Sequence, residues 1–378
     1  MNETLSAAGQ KKERLPEILY TGCVLTLLVM LIHILSEYIT SGTHGVLHSA
    51  VSCLWRLFGF ATYGFVFLAG LRFSLSQKAR AGDFSAGHYL LSRLRRLLPL
   101  YLLWSVLYYF WGLFTAGGGF SWDRIRDFRI AELLFGFLTG NTASHLYFVP
   151  VLLQFALLAP LSRLLSRRLP ASVILPVSLL LTFCFGTHLT DYTNALFPSL
   201  PEFAYSDRIF TSFLFFWSAG CCAGEEYDRF CALLDRNRAL LTGVFLFSAV
   251  LNLYSVYAFF VLGRGIWCLP QVTVLYTISA VLFLLMLCRL LAARKPPSSF
   301  CNAFDRAGYT LYLSHLLPIL VVSLCTNAFG ISPLAALPIR LAVVFLWAAA
   351  VTFLRMRFSR RTAAAPESEP EQHPKTNL

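Results

Sequence analysis

Charge is what this sequence has little of. Of its 378 residues 13% are charged and 57% hydrophobic, and mean hydropathy is +0.64. Soluble domains carry about 25% charged residues, and a soluble chain of 42.4 kDa would need far more polar surface to cover itself. The composition excludes a soluble enzyme, a disordered chain and a secreted disulfide scaffold, and leaves a multi-pass membrane protein. Acidic residues are scarcest, 19 against 31 Lys and Arg, for a formal net charge of +12. In a membrane protein that excess reports topology first, and no nucleic-acid partner is expected. The ten cysteines form no CxxC pair and lie mostly in apolar runs, so they read as small buried hydrophobes rather than metal ligands or disulfides. There is no Walker loop, no GxGxxG in a strand–helix context, no GxSxG and no HExxH. No metal and no permanently bound cofactor is expected. A cleavable signal pattern is also missing: the first apolar run begins near Glu17 without a short core and small-residue cleavage site, and reads as a retained span. No internal repeat stands out, which weighs against a transporter built from inverted halves.

What the sequence has is length of apolar run. A hydrocarbon core of ~30 Å needs about 20 apolar residues per helix. Ten runs approach that size: 17–38, 51–71, 97–114, 146–161, 172–189, 209–224, 239–262, 268–290, 308–326 and 336–356. Its 34 Phe, 16 Tyr and 7 Trp suit lipid-facing surfaces and interfacial belts. Twenty-four basic residues fall on one set of alternating connecting segments and five on the other. The asymmetry predicts an all-α polytopic protein of about ten transmembrane helices, both termini cytoplasmic, integral to the plasma membrane. Residues 1–16 read as a cytoplasmic N-terminal segment, 17–357 as the transmembrane domain, and 358–378, polar and Pro-containing, as a disordered cytoplasmic tail.

Ionisable residues inside spans are functional candidates by default. His33 and Glu37 share one face of the first span, being four apart. Arg56 in the second span is expected at a similar depth in the outer half, so that an imidazole, a carboxylate and a guanidinium meet in one polar pocket. A carboxylate there would orient the imidazole as a general base. The competing reading sends Glu37 and Arg56 to the outer interface and leaves His33 with a packing hydrogen bond. His315, in AGYTLYLSHLLPI, is placed about 10 Å inside the cytoplasmic end of its span, with Tyr309 and Tyr312 at helical spacing and Pro318 positioned to kink the helix. His145 opens the fourth span at the outer face, where an interfacial histidine is the ordinary expectation. A metal site at His44 and His48 has no carboxylate to support it. The cluster Arg93, Arg95 and Arg96 ends at Pro99 near the inner surface. An Arg fork can grip a phosphate, although charge alone is explained by topology.

Five segments, in this order, resemble acyltransferase family 3 of integral membrane acyltransferases: LLVMLIH ending at His33, FVFLAGLRFSLS (65–76), RLRRLLPLY (93–101), HLYFVPVLLQFALLAPL (145–161) and GYTLYLSHLLPI (308–319). The resemblance covers roughly 17–357. It departs from the family pattern at Gly22, where a basic residue is common, at Ala69 in place of a Ser, and at Tyr147 in place of a Trp. It implies transfer of an acyl group, commonly acetyl, from cytoplasmic acyl-CoA to a hydroxyl of an envelope polysaccharide, lipid-linked sugar or glycolipid. Acyl-CoA (acetyl-CoA) is then a co-substrate, with the bilayer and the glycan acceptor as the other partners. On that footing His33, Glu37 and His315 are the catalytic candidates, Arg72, Arg93 and Arg96 bind the CoA phosphates, and Arg56, His145 and Tyr147 contact the acceptor. With no appended extracytoplasmic domain, the membrane unit is expected to do all the chemistry. A transporter or flippase for a lipid-linked sugar, or a non-catalytic membrane subunit, would use the same polar cavity without covalent chemistry.

Overall fold

Pro16 opens the first helix at the position where its missing N–H is no loss. The computed structural model describes residues 15–42, 45–76, 84–187, 189–196, 205–260, 262 and 270–364. Nearly all of the expected N-terminal segment, two thirds of the expected tail, and His44 lie outside them. Among the described residues there is no strand, and helix makes up 87%.

Helix α1 (Pro16–Ile39) runs through the centre and packs on helices from both halves of the chain. Its hydroxyls are satisfied within the helix: Thr21 donates to the Glu17 carbonyl, Thr26 to Gly22 and Ser36 to Ile32. Such back-bonding lets polar side chains sit at membrane depth without an unmet donor. The second apolar run divides at Gly59–Phe60 into α2 (Val46–Phe58) and α3 (Ala61–Leu75). Then follow α4 (Ala86–Thr115), α5 (Ile130–Thr139), α6 (Phe148–Arg168), α7 (Ala171–Leu181) with a π-turn at Thr182–Thr187, and α8 (Leu189–Leu196). The second half holds α9 (Leu214–Glu225), α10 (Tyr227–Arg236), α11 (Arg238–Phe260), α12 (Pro270–Arg294), α13 (Ser299–Ser314), α14 (Leu316–Ala328) and α15 (Pro333–Ala364).

Seven of these elements, α2 with α3 taken as one, are long and apolar enough to cross a membrane. Two bent pairs, α7–α8 and α13–α14, raise the number to as many as nine. The difference from ten lies at the expected sixth span, 209–224. There the chain makes two 3₁₀ turns, Ser206–Arg208 and Phe210–Phe213, before a helix of 12 residues. Gln154 fixes those turns, donating to the Arg208 carbonyl at 2.8 Å and accepting from the Phe210 N–H at 2.8 Å. α9 is nonetheless tightly held. Gly220 and Gly224, four apart, press on α3 so closely that a Cβ on Gly220 would overlap the Phe67 carbonyl oxygen. Gly70 on α3 meets the Trp217 carbonyl in the same way. Small residues at four-residue spacing bring two backbones into contact where lipid supplies no hydrophobic drive.

Candidate active site

The break between α13 and α14 builds the site. Pro318 lacks the N–H that would bond the Ser314 carbonyl, and its ring crowds that carbonyl. The chain bends by 46°, and His315 stands in the gap as the last residue of one helix and the first of the next. Carbonyls near the bend find other partners. The Leu313 carbonyl accepts from the Tyr108 hydroxyl at 2.8 Å and from His145 Nε2 at 3.3 Å. The Tyr312 hydroxyl donates in turn to the His145 carbonyl.

Three histidines from three distant segments meet there. Ring centroids are 4.9 Å apart for His145 and His315, 5.1 Å for His33 and His315, and 5.7 Å for His33 and His145. Tyr108 lies edge-on to His145 at 5.3 Å and Tyr312 at 5.4 Å. His145 and His315 are buried, 2% and 0% exposed, whereas His33 is only half-buried. A carbonyl only accepts, so His145 donates from Nε2, and a neutral ring then has a bare Nδ1. By the same logic His315 Nδ1 donates to the Tyr312 carbonyl at 2.8 Å, leaving Nε2 bare. Both bare nitrogens are buried with no hydrogen-bond partner among the described residues. His33 makes no hydrogen bond among them either. The cluster thus presents one accessible imidazole backed by two whose tautomers are fixed by the backbone.

The grouping differs from the expected placement along the helices. α13 starts at Ser299 rather than near 308, so His315 lies sixteen residues, roughly 24 Å, from its beginning. His145, expected to open the fourth span at the outer face, is 2% exposed in a turn that folds inward between α5 and α6. Arg208 holds that turn, donating to the Thr139 carbonyl at 2.9 Å and to Asn141 Oδ1 at 3.3 Å. Gly140 allows it, with φ +71 and a missing Cβ that would overlap Tyr147 Cα. Gly140→Ala is therefore expected to cost about 1–3 kcal/mol, with strain and overlap acting together. The melting temperature and the activity of the purified protein should fall together; an unchanged melting temperature would mean the turn tolerates a side chain.

The expected meeting of His33, Glu37 and Arg56 does not form. Glu37 accepts from Ser323 Oγ at 2.7 Å, and Arg340 Nε reaches the same hydroxyl at 3.2 Å. Arg56 turns the other way, to Asn252 Oδ1 at 3.3 Å and Thr273 Oγ1 at 2.5 Å. Its neighbour Trp55 is the residue that faces α1, donating to Ser36 Oγ at 2.8 Å. Helix geometry explains the divergence, because adjacent residues point about 100° apart. Tyr147 lies beneath the Arg208 guanidinium, 5.9 Å from its ring centroid.

The basic residues gather at the other end of α13. Arg72 pairs with Asp305 at 3.1 Å, filling the space a side chain on Gly22 would need. One turn on, Tyr309 donates to the Leu97 carbonyl at 2.7 Å, which brings Arg96 alongside. Arg93 stands over the Tyr89 ring at 5.0 Å. From Asp305 and Tyr309 to His315 is six to ten residues, roughly 9–15 Å along the helix.

A family model described as an acyltransferase domain, that of acyltransferase family 3, matches residues 23–354. The chain belongs to acyltransferase family 3. The match takes in all three histidines and the basic residues at 72, 93 and 96. It supports a membrane acyltransferase, in agreement with the long apolar helices. No curated protein and no solved structure matches the chain. Tyr108 and Arg208 were not singled out in the sequence. Their signal is weak there, since one is an aromatic among many and the other a lone basic residue in a loop.

Proposed function

We propose that this membrane acyltransferase moves an acyl group, acetyl in the simplest case, from cytoplasmic acyl-CoA to a hydroxyl of an envelope polysaccharide, lipid-linked sugar or glycolipid. The three-histidine cluster at the α13–α14 break is the observation that carries the reading. A sugar hydroxyl is a poor nucleophile at neutral pH, and attack on a thioester needs a base. His33, the accessible ring, takes the hydroxyl proton as the oxygen bonds to the acyl carbon. The C–S bond then breaks, and the CoA thiolate recovers the proton. Arg72, Arg93 and Arg96 at the far end of the helix would hold the CoA phosphates, with the thioester arm lying along α13 toward His315. Both termini are assigned to the cytoplasm and the enzyme to the plasma membrane, on the distribution of basic residues; this requires an even number of crossings, and so either α9 as a tenth or the bent α7–α8 pair as a re-entrant element. Reporter fusions should accordingly read extracytoplasmic after Gly118 and Phe329 and cytoplasmic after Asp228. A cytoplasmic signal at Gly118 would overturn this orientation.

Thiol release tests the activity itself. Purified protein with acetyl-CoA and a lipid-linked glycan should liberate free CoA and acetylate the glycan; a flippase would do neither. In the same assay Arg93→Ala with Arg96→Ala should raise the apparent KM for acyl-CoA. Each lost charge-assisted hydrogen bond costs about 1.5–3 kcal/mol, roughly tenfold or more. An unchanged KM would reduce the cluster to a topology signal.

A further inference from the structure

Arg340 and Arg56, both inside apolar runs, differ in how their charge is met. Arg340, 4% exposed, reaches Glu37 through Ser323. Arg56 has no carboxylate partner among the described residues. Its hydrogen bonds among the described residues go to neutral groups, Nε to Asn252 Oδ1 and Nη2 to Thr273 Oγ1, with none there from Nη1. A full cation at membrane depth is costly without a counter-charge. The surroundings add donors rather than acceptors. Asn252, 1% exposed, spends its oxygen on Arg56 and leaves Nδ2 without a partner. Ser52, 0% exposed and one turn before Arg56 on the same face of α2, has an unbonded hydroxyl. Arg56 is half-buried, the most exposed of the three residues.

A cation, an orphaned amide N–H₂ and an orphaned hydroxyl on facing elements have no anion among the described residues. We propose that Arg56, Asn252 and Ser52 form a binding site for the phosphate of a membrane lipid. A planar guanidinium with a free edge suits a phosphate oxygen pair. The position also suits the acceptor, on which point the inference rests on the acyltransferase reading. Trp55, next to Arg56, bonds Ser36 three residues beyond His33. A phosphate at Arg56 therefore lies within about one helical turn of the level of His33, on the side toward the C-terminal end of α1. The phosphate of a polyisoprenyl carrier and that of a glycerophospholipid headgroup offer the same chemistry.

Direct binding tests this without any turnover. The full-length protein in phosphatidylcholine nanodiscs would be titrated with polyisoprenyl phosphate, with uncharged polyisoprenol, with phosphatidylglycerol and with inorganic phosphate. Polyisoprenyl phosphate or phosphatidylglycerol should bind and polyisoprenol should not, and the arm that binds names the source of the phosphate. Arg56→Gln should weaken that binding about ten- to a hundredfold, the range for losing one charged hydrogen bond. Asn252→Asp is the second variant, in case Arg56→Gln does not fold. It supplies the missing carboxylate, so melting temperature should rise while phosphate-lipid binding is lost. Equal binding of polyisoprenol and its phosphate, binding of inorganic phosphate alone, or undiminished binding in the folded variants would each overturn the proposal. Because the readout is affinity, a protein that binds the lipid yet releases no CoA would refute the acyltransferase reading and leave the site standing.

Discussion

His33→Ala is expected to lower activity by about 10²–10⁴-fold per inserted molecule, the usual contribution of a general base. Three observations place the burden on this ring rather than its neighbours. It is half-buried while His145 and His315 are enclosed. It makes no hydrogen bond among the described residues, so its nitrogens are not committed to the backbone. It also lies on the central helix, within 5.1 Å and 5.7 Å of the other two rings. A purely architectural role predicts a different outcome, in which expression falls and the surviving molecules keep their activity. Activity normalised to inserted protein separates the two, and near-wild-type turnover per molecule would remove His33 from the mechanism. Glu37→Gln should have a much smaller effect, because Glu37 is held by Ser323 rather than facing the ring.

The second large effect is expected at His315. Its Nδ1 is bound to the Tyr312 carbonyl and its Nε2 is bare and buried, 0% exposed. We propose that it receives the proton from His33 and returns it as the thiolate departs. His315→Gln keeps roughly the same volume but has no basic nitrogen. Activity should fall about 10²-fold with near-normal expression. The double variant His33→Ala/His315→Gln should be no worse than His33→Ala alone, because residues acting in one proton path are not additive. If His315 only fills space, the Gln variant will turn over normally and melt at a lower temperature, and multiplicative losses in the double variant would place the two histidines in separate roles.

Several features were legible from the residues alone. The low charge and long apolar runs required membrane helices, because backbone groups in lipid must be bonded within the segment. The ordered segments, among them those ending at His33 and at Tyr101 and the one at 308–319 that holds His315, pointed to the family that the match over 23–354 bears out. The number of crossings was less readable: the run at 209–224 is apolar enough, yet Gln154 holds its first part in 3₁₀ turns. A side chain 55 residues upstream leaves no mark on local hydropathy.

The composition by itself determined the solvent of this protein, and the isolated ionisable residues in apolar runs supplied its chemical candidates. Only the tertiary structure decided which of them act together. Periodicity put His33 and Glu37 on one helix face and suggested Arg56 at their level, but the packing of α1 and α2 turns those side chains toward different neighbours. Conversely, His33, His145 and His315 share no spacing in the chain. They meet because Pro318 breaks a helix, Gly140 and Arg208 fold a turn inward, and the Leu313 carbonyl beside the break takes hold of His145. Sequence spacing fixes direction within a helix, whereas contact between helices depends on their rotation, bends and turns, which packing alone sets.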